Sequence, residues 1–214
     1  MAKANEAIRS TVTHLERIYG IVIALSINQV FMQFFAPSYP GVCGIQWDRL
    51  WSLVSILLPV IPFFHGMGRY LDEMYVRNQP DKCYGYWLLL DCIAFTVEAA
   101  FFFALTRYLP PDRWAQFAVA ILLLLFCDVL WGAFVWKFRT PLISSWVIVN
   151  LCAIPLLALI LACFHRTPSW WPVSLVFGVV LARTIADYST GWGFYFPRSP
   201  SRANQRDKRN ASVG

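Results

Sequence analysis

Asp91, Asp128, Asn150 and Arg183 each fall inside stretches that are otherwise almost wholly apolar. A charge in hydrocarbon costs roughly 2.5–3.5 kcal/mol or more unless it faces a partner or a wet cavity, so these residues mark a protected polar interior. A guanidinium offers forked donors that match a carboxylate, and the simplest pairing sets Arg183 against Asp91 or Asp128. One carboxylate is then left over, and it must be protonated, bind a cation or be hydrated. Asp91 and Glu98 are seven residues apart. That spacing puts them on one helix face about 10 Å apart along the axis, which suits two stations for a proton or cation. The plainer alternative is that donors such as Arg183, Asn28 and Asn150 pin these acids and tighten helix packing.

A second polar group follows the prolines Pro59 and Pro62. His65, Arg69 and Asp72 recur at i, i+4 and i+7, interleaved with Gly66 and Gly68. Two prolines disrupt helical hydrogen bonding, and an imidazole titrates near neutrality, so this stripe is a candidate gate at the mouth of a polar path. An ordinary proline kink followed by a charged loop accounts for the same residues. Asp187 stands one turn beyond Arg183 and can satisfy it locally. Contacts between Arg183 or Arg69 and Asp187 or Asp72 are therefore expected.

The elements that position these residues follow from composition. Of 214 residues, 58% are hydrophobic and 14% charged, against about 25% charged in soluble domains. Apolar windows near 20 residues, the length a hydrocarbon core of about 30 Å requires, occur at 18–35, 50–65, 84–105, 114–136, 142–164 and 170–188. The expected fold is all-α, a polytopic bundle of six transmembrane helices with a short N-terminal amphipathic helix. Residues 1–17 form that amphipathic segment, in which Ile8, Val12 and Leu15 make an apolar stripe for headgroups or another subunit. Residues 18–190 form the membrane domain, and 191–214 a basic tail without apolar periodicity. Within the tail, the run from Gly191 to Pro197 reads as an interfacial aromatic anchor. Counted from the predicted edges, Asp91, Asp128, Asn150 and Arg183 lie about 10–12 Å deep and Asn28 about 15 Å.

Thirteen of the eighteen Lys and Arg residues fall on the side of the termini. The positive-inside bias therefore places both ends in the cytoplasm. With no organelle signal visible, a bacterial inner membrane is the expected location. The net charge of +6 lies mostly in terminal and loop segments, which implies anionic cytoplasmic lipid as a partner and no nucleic acid. Cys92, Cys127, Cys152 and Cys163 sit in apolar runs as small hydrophobes, while Cys43 and Cys83 fall on opposite faces and cannot pair within one chain. No Cys/His cluster has metal-ligand spacing, and neither a metal nor another cofactor is implied.

Three functions fit this pattern. A small channel or transporter for a cation or proton, expected as a homo-oligomer in the case of a pore, uses Asp91, Glu98 and Asp128 as stations and Arg183 as counter-charge. A membrane-anchored component binds a partner through its cytoplasmic loop and tail. A membrane-embedded enzyme uses Asp91 with Asp128 as an acid pair. The first is preferred, because no nucleophile and base can be placed at one depth.

Overall fold

A chain segment shielded from water must satisfy its backbone N–H and C=O groups internally, and each long apolar run here does so as a helix. The computed structural model describes residues 2–35, 50–77, 84–109, 113–138, 144–167 and 170–197. The elements are α1 (Ala2–Phe34), α2 (Leu50–Leu71), α3 (Tyr84–Leu105), α4 (Trp114–Phe138), α5 (Ser144–Phe164), α6 (Trp170–Thr190) and a short α7 (Trp192–Tyr195). No strand occurs among the described residues. Six of these helices are long and apolar enough to cross a membrane. Cys43, Cys83, the tail from 198 to 214 and the proline-bearing connectors lie outside the described residues.

Two elements run further than their apolar windows suggest. α1 is one helix of 33 residues, about 50 Å long at 1.5 Å per residue, and it passes position 17 without a break. Its stripe of Ile8, Val12 and Leu15 is buried in the same core as the rest of the bundle. The covering surface comes from this chain, since α1 packs along a π-helical segment, Asp72–Arg77, that continues α2. α2 likewise carries Pro59 and Pro62 within a continuous helix and runs on past His65 to Leu71.

Neighbours around the bundle run α1, α3, α4, α5, α6, α2 and back to α1, a closed ring. Its polarity is the reverse of a water-soluble fold. Ile21, Leu25, Leu89, Leu159 and Trp171 are exposed, whereas Asp91, Glu98, Asp128, Asn150, Arg183 and Asp187 are at most 5% exposed. The half of the ring away from the N-terminus is filled with apolar side chains. Ile56, Phe102, Leu105, Ile121, Leu124 and Leu157 are essentially fully buried there. The buried ionisable residues all gather in the other half, and the far half buries only the uncharged Ser55 and Thr106.

Candidate functional site

α3 turns its acids inward. Leu88, Asp91, Phe95, Glu98, Phe102 and Leu105 are buried along one face with helical spacing. The two acids nevertheless meet different surroundings. Asp91 is held by two phenols, with Tyr70 Oη donating to Oδ1 at 3.0 Å and Tyr75 Oη donating to Oδ2. Tyr70 and Tyr75 are five residues apart, which in a regular α-helix sets them roughly 140° apart. The π-helical turns after Leu71, whose hydrogen bonds span five residues, rotate Tyr75 back toward the side of Tyr70.

Two turns along α3, Glu98 borders a cavity of about 70 Å³ in the half of the bundle that bears the N-terminus. A single water needs roughly 10–15 Å³ on this measure, so the space holds several waters or one small molecule. Glu98 and Asp128 meet here, with their carboxyls within hydrogen-bonding reach of each other. From Asp128 a chain of polar contacts crosses to α5 and α6. Asn150 Nδ2 donates to Asp128 Oδ2, and Arg183 Nε donates to Asn150 Oδ1 at 2.8 Å. Arg183 Nη1 lies 3.1 Å from Asp187 Oδ2 as an ion pair without hydrogen-bond alignment. The guanidinium also rests over Phe63, with Cζ 4.9 Å from the ring centroid. Asp128 Oδ1 receives no donor at all. Glu98, Asp128 and Asp187 thus surround a cavity that contains one guanidinium.

The cavity is covered on one side by α7. Gly191 ends α6 in a reversal so tight that a Cβ there would stand 3.0 Å from both Asp187 O and Tyr195 Cε2. The reversal returns Tyr195 Oη to Asp187 Oδ2, to which it donates at 3.0 Å. Burial, and then the neighbouring Asp187 carboxylate, push the Tyr195 phenol well above its ordinary pKa, so it remains a donor. Arg69 clasps α7 from the other side. Its Nε donates to Phe194 O at 3.0 Å, and its Nη1 donates to Asp72 Oδ2 at 3.1 Å. His65 completes the seam, its ring 5.0 Å from that of Tyr195 and its Nδ1 3.3 Å from Tyr188 Oη.

No known protein family, curated protein or solved structure matches the chain. The site must therefore be understood from its own geometry. Glu98, Asp128, Asn150, Arg183 and Asp187 form one connected cluster, and His65, Arg69 and Asp72 flank it. Two expectations need correction. Arg183 pairs with Asp187 and reaches Asp128 only through Asn150, and its polar contacts do not include Asp91. Asn28 does not join the layer, because it is exposed on the outer face of α1 while Tyr19, Ile23, Ser26 and Val30 turn inward. Sequence reasoning missed Tyr70, Tyr75 and Tyr195. The run from 191 to 197, expected as an aromatic anchor, also folds back over the cavity, and two glycines flanking Trp192 directly after a helix are the signal for that chain reversal.

Proposed function

We propose that this chain is an integral membrane protein that takes up a proton or small cation into a chamber opening toward the face that bears its N-terminus, and that it works as a carrier. Membrane insertion is supported by six spanning-length helices with apolar exteriors and buried charges. Basic residues concentrated on the chamber side favour a cytoplasmic orientation for it, next to anionic lipid. A carrier is favoured over an open pore because the far half of the ring is packed with buried Phe, Leu and Ile, and the polar side chains buried there, Ser55 and Thr106, carry no charge, the Thr106 hydroxyl being spent on its own helix at Phe103 O.

One observation carries this proposal: two carboxyls, Glu98 and Asp128, meet in a buried site whose nearest guanidinium is already committed to Asn150 and Asp187. Two like unit charges about 4 Å apart repel by about 4 kcal/mol at an effective dielectric near 20. Placing a proton or cation between them removes that repulsion, so an empty, doubly ionised pair is a strong acceptor. The Arg183–Asp187 pair and the Tyr195 bond lie one layer closer to the surface, where they can sense whether the acceptor is filled.

The test is ion-gradient-driven flux in proteoliposomes. Glu98→Gln and Asp128→Asn are each expected to lower flux at least about tenfold, because one neutral amide removes the paired charge. Asp91→Asn is expected to retain most flux, since Asp91 is held by phenols behind the cavity wall. Full flux in both Glu98→Gln and Asp128→Asn would refute the assignment.

A further inference from the structure

The cavity's aromatic wall specifies which cation it suits. Seven of the sixteen residues around it are aromatic, against 17% of the whole chain. They come from five elements, including Phe95 on α3, Trp131 on α4, Trp146 on α5 and Phe194 on α7. Aromatic faces attract cations that shed water readily, and alkylammonium ions are bound this way in aromatic cages. The cavity already does this with a cation of its own, since the Arg183 guanidinium lies over Phe63. Among the rings stand Glu98, one turn from Phe95 on α3, and Asp128, one turn from Trp131 on α4, and the buried Asp128 Oδ1 receives no donor.

Alternatives within the cation class fit less well. No group of three or more His, Cys, Asp or Glu side chains among the described residues is arranged to hold a metal ion. A bare alkali ion strips its hydration shell at a cost that hydrocarbon rings do not repay. A bare proton would leave the remaining volume to several waters and give the aromatic wall no part in binding.

Resting on the carrier reading above, we infer that the chamber's ligand is a small alkylammonium ion, with its N–H directed to the Glu98–Asp128 pair and its methyl groups against Phe95, Trp131 and Trp146. Rings and acids have separate tasks: the acids supply charge and accept the hydrogen bond of the ammonium N–H, and the rings select an organic cation over sodium.

The test is calorimetric titration of the purified full chain in lipid nanodiscs with trimethylammonium chloride, against sodium chloride at equal ionic strength. Saturable heat is expected from trimethylammonium and none from sodium. Trp131→Leu and Glu98→Gln are each expected to weaken binding roughly tenfold or more, while Trp131→Phe, which keeps a ring, recovers most of the affinity. Trp171→Leu, at a residue 76% exposed on the outer face, is the control expected to bind normally. Thermal melts of each variant separate lost binding from lost folding, and Trp131→Phe keeps the proposal testable if Trp131→Leu fails to fold. Absence of saturable binding to wild type, or equal affinity in wild type and folded Trp131→Leu, overturns the inference. If proteoliposomes move protons or sodium through Glu98 while trimethylammonium does not bind, the alkylammonium assignment falls and the carrier stands. If trimethylammonium binds with the expected variant pattern but no flux occurs, the carrier falls and the site stands.

Discussion

Asn150 offers a direct measure of how the buried cluster is held together. It is fully buried, and it accepts from Arg183 Nε at 2.8 Å through one amide atom while donating to Asp128 through the other. Asn150→Leu keeps the number and branching of heavy atoms, with bulkier methyls that the adjoining cavity must take up, but deletes both bonds, leaving the Arg183 Nε–H and Asp128 Oδ2 without these partners. Hydrogen bonds to charged groups contribute about 1.5–3 kcal/mol each in water-soluble proteins, which gives an upper range of about 3–6 kcal/mol for the pair. Within bilayers a typical interhelical hydrogen bond is worth nearer 0.6 kcal/mol, which sets a floor of about 1.2 kcal/mol for two. Because both partners here carry charge, and the adjoining cavity can supply water to them, a loss of about 3 kcal/mol is expected. Unfolding in mixed micelles, followed by tryptophan fluorescence, measures it. A double-mutant cycle combining Asn150→Leu with Asp128→Asn then reads the coupling, expected to exceed about 1 kcal/mol for groups in one network. A loss below about 0.5 kcal/mol, typical of an uninvolved surface position, or strict additivity in the cycle, would refute the bridging role.

Two further outcomes follow from the α7 cap. Gly191→Ala places a methyl 3.0 Å from Asp187 O and from Tyr195 Cε2, so it should displace Tyr195 from Asp187 and lower the melting temperature by several degrees, with Gly193→Ala, whose added Cβ meets open space, as the near-neutral comparison. The Tyr195 phenol is raised above its ordinary value of 10.0, so its stabilising contribution is complete below about pH 10 and falls away as pH climbs toward the folded value; melts from pH 8 to 11 should show wild type losing stability relative to Tyr195→Phe above about pH 10, and parallel curves would contradict the buried donor.

How much was legible in the sequence differs between elements for physical reasons. The boundaries of α3 could be read directly, because an apolar run bounded by polar loops has one way to hide its backbone. Asp91 and Glu98 were placed on one face by their spacing, and the local geometry of a helix also made Arg183 and Asp187 neighbours. Residue counts along the helices suffice to bring Asp128, Asn150 and Arg183 to one level, but direction around the helix axis is harder to read. Asn28 turns to the outer side, which the inward series Tyr19, Ile23, Ser26 and Val30 reveals only once α1 is known to pack on α2 and α3. What holds Asp91 is something no periodicity encodes: a switch to π-helical winding that turns Tyr75 toward it. Gly191 hid the third phenol in the same way, because a reversal after a helix looks in sequence like the end of the fold.

The order of helices around the ring has a consequence for how the molecule is put together. α1 is translated before α2 and α3 and packs on both, while those two also meet each other directly, Phe63 against Phe102 and Tyr70 against Phe95. The first helix thus roofs the seam between its two successors, with Tyr19 laid against Phe95, and cutting it away would lay that seam open to acyl chains one turn from Glu98.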